Sequence, residues 1–375
     1  MKIAFDLRRI GNPGIGRYMK CLTESITAQA PVHEYLLILP PHGEHLVHAP
    51  NAQILCTGLK YYSVREQFEL PQILSRHKVD LLHSPHFLLP LVRPCPAVAT
   101  IHDVIYMACP EDLPSLAGHI YYRAMMTACS RIATRLITDS NHSKDEIVRY
   151  LKTDAAKIEV VYPAVDPFFQ SGANPAEVAS VRSRFGIDRD YIVCVGIYKP
   201  RKNHAGLLKA FQLLLKRGAQ SKLVIAGPMG EGEPVLQRLA IELGVAAQVV
   251  FTGFVNDADL RALYSGARVC VCPSLYEGFG FTVLEAMACG VPVVCSSATS
   301  LPEVAGKAAL YFDGYKPEEM AAQLGRAFCN DSVRGALIAD GCRNLLRFNW
   351  AETARQTLAV YHQVLDQQLP RAAYA

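Results

Sequence analysis

Apolar residues recur along this chain as short, β-branched runs separated by longer stretches with helical spacing. Strands are predicted at residues 2–7, 35–39, 52–56, 79–83, 97–101, 135–138 and 158–162, with helices at 17–28, 64–77, 116–133 and 141–151. Strands alternating with helices predict a parallel, doubly wound α/β sheet. Residues 166–174, with Pro167, Gly172 and the neighbouring Pro175, break the alternation and read as a linker. The alternation then restarts, with strands expected at 191–197, 222–226, 248–252, 268–272, 292–295 and 308–312. After Pro317 the pattern is helical throughout, and Asn349-Trp-Ala-Glu352 carries an Asn cap with Glu at the third position. Two similar α/β domains facing each other across a cleft are expected.

One stretch concentrates the chemistry. The run 268–272 delivers the chain into a loop holding Glu277, Gly278 and Gly280, after which helix formers extend from Phe281 to Ala288 and Gly290 stops them. A Gly-rich turn between strand and helix aims backbone N–H groups and a helix N-terminus at one point, a natural seat for phosphate. A bare carboxylate there would repel phosphate, so Glu277 makes sense if it binds hydroxyls of a neutral group attached to that phosphate. Glu285, one to two turns into the helix, is placed to hold further hydroxyls. A ligand of sugar, diphosphate and ribose satisfies all three. Taken alone, the loop is equally compatible with a plain connection whose Glu complements the helix dipole.

Length, charge and cysteine usage narrow the class. A chain of 375 residues is sized for two domains. A net charge of +4 argues against a dedicated nucleic-acid binder. The twelve cysteines contain no Cys-x-x-Cys, and Cys194, Cys270, Cys272 and Cys295 fall inside predicted strands, which suits a reducing cytoplasm. Charge enters too early in Met1-Lys-Ile-Ala-Phe-Asp6 for a signal peptide, and no apolar run is long enough to span a bilayer. A soluble protein is expected, with peripheral membrane contact open to it through Leu88-Leu-Pro-Leu-Val92.

Other candidates lie at strand ends. Gly14-Ile-Gly-Arg-Tyr18 follows the first strand but half-matches a dinucleotide fingerprint, since Met19 fills the third glycine slot; it reads as a close-approach loop with Arg17 available for an anion. His102 follows the strand 97–101, where ligands of open α/β sheets bind. His83 and His86 invite a zinc reading with it, but no carboxylate or thiol at ligand spacing supports one, so no metal is expected. In Tyr198-Lys-Pro-Arg-Lys-Asn203 three cations at a strand end suit a diphosphate leaving group. Asp188-Arg-Asp190 and Asp257-Ala-Asp259 are read as structural, the second as a helix start. Ser300-Leu-Pro-Glu303 fits a capping box.

Assembled, these residues resemble the retaining glycosyltransferases of family 4, which have the GT-B fold. Glu277-Gly-Phe-Gly-Phe-Thr-Val-Leu-Glu285 matches that family's glutamates separated by seven residues, and Ile101-His-Asp103, Pro200-Arg-Lys-Asn203, Phe251-Thr-Gly253 and Cys272-Pro-Ser274 follow in the family's order. The resemblance implies two facing Rossmann-like domains: an acceptor-binding one at 1–170, joined by a C-terminal helix returning to it at about 351–375, and a donor-binding one at 171–350. It implies that Glu277 holds donor-sugar hydroxyls, Glu285 the ribose, and the backbone of Phe279, Gly280 and Phe281 the sugar and phosphate. Lys202 aligns with the phosphate-binding lysine, His102 with the active-site histidine, and Gly14 and Gly16 with the glycine loop near the diphosphate. Where many members carry Arg after the glycine matching Gly196, this chain has Ile197, and Arg201 is assigned the missing charge. The Gly-Ile-Gly-Arg-Tyr and Pro-Arg-Lys-Asn wording is similar to GDP-mannose-dependent mannosyltransferases of bacterial polysaccharide biosynthesis. The implied reaction is metal-independent, cofactor-free transfer to a glycan or lipid-linked acceptor, in the cytoplasm at the inner membrane face. A UDP-sugar donor, a nucleotide-sugar 2-epimerase of the same fold and a nucleotide-sugar-binding module are the alternatives.

Overall fold

The computed structural model describes residues 1–12, 14–113 and 115–366. The described residues form two compact units: one of Met1–Ala108, Leu113–Ala164 and the segment from Phe348, the other of Cys109–Asp112 and Val165–Arg347. The first holds a parallel sheet of β1 (Lys2–Asp6), β2 (Glu34–Leu39), β3 (Ala52–Cys56), β4 (Leu81–Ser84), β5 (Ala97–Thr100), β6 (Arg135–Thr138) and β7 (Ile158–Val160), in the order β3-β2-β1-β4-β5-β6-β7. The second holds β8 (Tyr191–Val195), β9 (Lys222–Ala226), β10 (Val249–Gly253), β11 (Val269–Cys272), β12 (Val293–Ser296) and β13 (Ala309–Phe312), in the order β10-β9-β8-β11-β12-β13.

The central strands of both sheets are covered on two faces, which is why they are apolar at successive positions instead of every second one. In β1, Ile3 and Phe5 join a cluster with Tyr18, Leu22 and Tyr361, while Ala4 between them joins Leu36, Leu74 and Met126 on the opposite face. Each chain begins its sheet in the middle. From β1 it runs outward through β2 and β3, then returns to place β4 on the other side; β8 and β11 repeat this in the second unit. The loops leaving β1 and β4, and those leaving β8 and β11, therefore part in opposite directions, and the crevice between them is where ligands of such sheets bind.

Two stretches differ from expectation. The presumed linker contains the helix Pro167–Gln170, capped by the Asp166 side chain accepting from Phe168 N–H at 3.0 Å. Phe169 of that helix is fully buried against Tyr264, 6.1 Å between ring centroids, so its apolar payload overrides the Pro/Gly signal. The Ser300 box is also not formed: its hydroxyl makes no cap hydrogen bond and is used elsewhere. The Asp motifs are structural as read. Asn256 caps its helix by accepting from Asp259 N–H, and Asp188 and Asp190 pair with Lys222 and Arg268.

The C-terminal helix Trp350–Asp366 opens with Asn349 Oδ1 accepting from Glu352 N–H at 3.0 Å, and packs on the first unit's helix Ile15–Gln29. Residues 367–375 of the expected helix lie outside the described residues. Tyr361 enters the first unit's core, its hydroxyl 2.5 Å from His83 Nδ1, while His83 Nε2 meets Thr100 Oγ1 at 3.0 Å. Burial drives the His83 pKa down to about 3, so His83 is a neutral hydrogen-bonding core residue. Tyr361→Phe leaves a fully buried imidazole nitrogen unpaired and is expected to cost about 1–3 kcal/mol. Denaturant unfolding checks this, and an unchanged midpoint would show that the bond contributes nothing to stability.

Candidate functional site

In the second unit the loops leaving β8 and β11 are tied together by charge. Glu277 is buried, and its Oε1 accepts from Lys202 Nζ at 2.5 Å and from Ser274 Oγ at 2.6 Å. Arg201 Nη1 stands 3.7 Å from Oε2. Burial alone would push the carboxyl pKa up, but the Lys202 and Arg201 charges, with the hydrogen bonds from Lys202 and Ser274, hold it below its ordinary value. Arg201 is oriented in turn: Nε donates to Asp112 Oδ2 at 2.5 Å and Nη1 to the Tyr276 carbonyl at 3.3 Å. Lys199 Nζ donates to the Asp112 carbonyl at 2.7 Å. Ile197 is exposed.

The turn carrying Glu277 is braced from the segment after β12. Its N–H donates to Thr299 Oγ1 at 3.0 Å, and Ser300 Oγ lies 2.9 Å from the carbonyls of both Glu277 and Phe279. That brace is what occupies the hydroxyl expected to cap a helix. Asn203, in the left-handed region at φ 55°, sends its amide to the carbonyls of Pro273 and Gly314 and pins the cationic turn to the same framework. Gly280 has φ 107°, and a Cβ there would meet Leu301 Cδ2 at 2.8 Å, so both conformation and space require glycine. Phe279 and Phe281 flank it, their ring centroids 5.1 Å apart. The helix Phe281–Ala288 starts directly afterwards. On it, buried Glu285 accepts from Tyr264 OH at 3.0 Å, and burial together with the Glu285 charge raises the tyrosine pKa far above normal, keeping it a donor.

In the first unit His102 follows β5, its Nδ1 2.7 Å from Asp139 Oδ2 and its Nε2 3.2 Å from the Pro85 carbonyl. Both partners are acceptors, so both ring nitrogens are called on to donate, which only the imidazolium can do. Burial lowers its pKa, but the Asp139 charge and hydrogen bond, with smaller help from Asp103 and Pro85, raise it overall. Tyr18 packs edge-on against the ring, 4.7 Å between centroids. Gly14, at φ 77°, and Gly16 open the helix that carries Tyr18; a Cβ on Gly16 would lie 2.0 Å from the Ile10 carbonyl oxygen.

The structure thus brings Arg201, Lys202 and Glu277 into one ion-paired cluster, with Phe279, Gly280 and Phe281 next to it in the chain and Glu285 about one turn into the helix. His102, Gly14 and Gly16 belong to the first unit. Asp139, Thr299, Ser300 and Asp112 were not foreseen. Asp139 had a usable signal, an acid directly after an apolar strand, the placement that singled out His102. Asp112, 89 positions from Arg201, had none. Among the described residues no cluster of three or more His, Cys, Asp or Glu could hold a metal ion, and no helix is long and apolar enough to cross a membrane.

Comparison with known proteins gives the family. Residues 14–168 match the family model Glycosyltransferase Family 4, and residues 179–341 match Glycosyl transferases group 1. The O-antigen chain mannosyltransferase B of Escherichia coli is 32% identical, over 96% of this chain and 99% of its own. A D-inositol 3-phosphate glycosyltransferase of Streptomyces griseus subsp. griseus is 31% identical over 78% of this chain and 69% of its own. In fold, the chain is similar to Anabaena HepE in complex with UDP and glucose, with a TM-score of 0.75 at 20% identity over 97% of this chain and 100% of the other. It is also similar to WaaG, a glycosyltransferase involved in lipopolysaccharide biosynthesis, with a TM-score of 0.71 at 16% identity over 96% and 99%. Matched in each half by a family model and along nearly its whole length by a mannosyltransferase, the chain belongs to glycosyltransferase family 4 and has the GT-B fold of two Rossmann-like domains.

Proposed function

We propose that the protein transfers mannose from GDP-mannose to a glycan or lipid-linked oligosaccharide, with retention at the anomeric carbon and without a metal ion. The observation that carries this is the Glu277–Lys202–Arg201 cluster at the switch point of the second sheet. A departing nucleoside diphosphate needs positive charge close by, and Lys202 and Arg201 are the cations placed to supply it. The N-terminus of the helix Phe281–Ala288 and the backbone of Phe279, Gly280 and Phe281 add N–H groups toward phosphate and sugar. Once phosphate draws Lys202 toward itself, the Glu277 carboxylate is released to accept from sugar hydroxyls, and Glu285 is assigned to the ribose. In this role Glu277 is a binding group, and the acceptor hydroxyl attacks from the face the diphosphate leaves. The second domain is the donor side and the first, with His102, the acceptor side.

The donor sugar rests on the mannosyltransferase name of the 32%-identical relative and on the Gly14–Tyr18 and Pro200–Asn203 wording. A UDP-sugar donor is the second reading, favoured by the UDP in the complex of the similarly folded HepE. Twelve free thiols suit a reducing cytoplasm, and a lipid-linked acceptor supports the reading that the enzyme works at the inner membrane face. In the first domain Leu88 and Leu89 are core, leaving Leu91 and Val92 as the exposed part of the run proposed for membrane contact.

Calorimetric binding of GDP, UDP and ADP, each with and without EDTA, tests donor and metal together. Tight GDP binding indifferent to EDTA is expected; preference for UDP overturns mannose, and binding abolished by EDTA overturns the metal-free mechanism. Release of nucleotide only when acceptor is supplied separates transfer from epimerisation. Lys202→Ala is expected to lower turnover by about 100-fold, and an unchanged rate with saturable donor would remove the phosphate assignment. Near-normal turnover in Glu277→Gln would remove Glu277 from any essential role.

His102 serves as an imidazolium donor, so activity falls as pH rises through its pKa, which lies above the ordinary histidine value. Asp139→Asn removes the raising charge and moves that alkaline limb to lower pH. An acidic limb that shifts instead would mean that neutral His102 is the working form.

A further inference from the structure

The first sheet has a switch point too, between β1 and β4, and the chemistry there is not used by the donor. Arg9 stands three residues beyond the end of β1, and His86 two beyond β4; Arg9 Nη1 lies 3.4 Å from His86 Nε2. The same guanidinium donates to Tyr62 OH at 2.7 Å. With the Asn12 amide oxygen turned inward, Arg9 Nη2 and Nε also reach it at 2.9 and 3.2 Å. None of these partners is a carboxylate. The nearby acids are already spent: Arg8 holds Asp6 through two bonds of 2.7 and 2.6 Å and approaches Glu66 at 3.4 Å. Burial and the Arg9 charge keep His86 neutral, so it accepts from Arg9 without offsetting its charge. Arg9 is thus a half-buried, aimed cation with no counter-ion among the described residues.

Its surroundings are apolar and exposed. Tyr62 sits at φ 62°, a left-handed conformation that a bulky residue adopts only when held there. The hold comes from Arg9 on its hydroxyl and from Glu66 Oε2, which accepts from its N–H at 3.1 Å. Tyr62 packs edge-on against Tyr121, 5.8 Å between centroids, on the helix Leu116–Ile132. Leu116, Ile120 and Tyr121 of that helix are all exposed, and its only charged residues are Arg123 and Arg131. An apolar shelf with a cation at its inner edge, no acid on its helix, and the one carboxylate that touches it, Glu66, held by the Tyr62 N–H and near Arg8, suits a molecule that is anionic at one end and hydrocarbon beyond.

We infer that Arg9, braced by His86 and Tyr62, binds a phosphate group of the acceptor, and that the Tyr62–Ile120–Tyr121 shelf takes the hydrocarbon chain attached to it. This rests on the first domain being the acceptor side. It assigns the acceptor to the phosphorylated lipids and separates the anion subsite of the first domain from the donor-diphosphate subsite of the second.

The test uses the full chain and calorimetry with decyl phosphate, decanol and inorganic phosphate, below micelle-forming concentrations. Decyl phosphate is expected to bind more tightly than decanol or phosphate alone. Arg9→Gln is expected to weaken decyl phosphate about tenfold while leaving decanol unchanged, Arg9→Lys to retain most of the preference, and Ile120→Ser with Tyr121→Ser to weaken both alkyl compounds. Thermal unfolding of each variant separates loss of binding from loss of fold. An unchanged phosphate preference in Arg9→Gln overturns the subsite. So does tight binding to vesicles of anionic phospholipid with no distinction between decyl phosphate and decanol, which would make the shelf a membrane-facing surface. If GDP or UDP binds while decyl phosphate does not, the transferase reading stands and the subsite alone is lost.

Discussion

A parallel sheet begun at its middle strand must send successive crossovers first one way and then the other. This constraint, met twice in the chain, fixes where chemistry can sit. Between β1 and β4, and between β8 and β11, neighbouring strands hand their chains to loops that diverge, and no helix can close over the gap. Side chains just past those strand ends are held rigidly at the base and left open at the tip. Arg9 and His86 occupy one gap, Lys202 and Glu277 the other. The placement of these side chains is in this sense a by-product of how the strands are ordered.

Charge in these gaps is stored in pairs. Glu277 neutralises Lys202, Asp112 neutralises Arg201, and Asp6 neutralises Arg8. Taking a charge out of water is expensive unless a partner stands ready, so cations this buried would be strained without their carboxylates. A pair of this kind adds less to stability than it does to geometry, since it fixes where each charge points before the substrate arrives.

Much of this was legible in the residues. The strands 52–56, 135–138 and 222–226 coincide with β3, β6 and β9, because short β-branched and apolar runs end abruptly at polar loops. The helix Phe281–Ala288 was readable from its two glycines. The stretch 166–174 was not, because Pro and Gly advertise a break while one buried phenylalanine decides the packing. Ser300 carried a capping signature that the fold spends on bracing Glu277 instead. Local patterns state what a residue can bond to; which of several offers is taken depends on what the fold brings near. Asp112 makes the limit plain, since its partner lies 89 positions along the chain, and the four residues Cys109–Asp112 join the second unit from within the first unit's stretch of sequence.

The helix Trp350–Asp366 completes a domain whose other residues all precede Val165. The stretch Val165–Arg347 is therefore synthesised in full before Tyr361 exists to meet Phe5 and His83. The usual order, in which the N-terminal domain folds first, is unavailable to this chain. Its first domain waits with one apolar face uncovered while the second is being made, and that interval is when a chaperone or a stray neighbour has its opportunity.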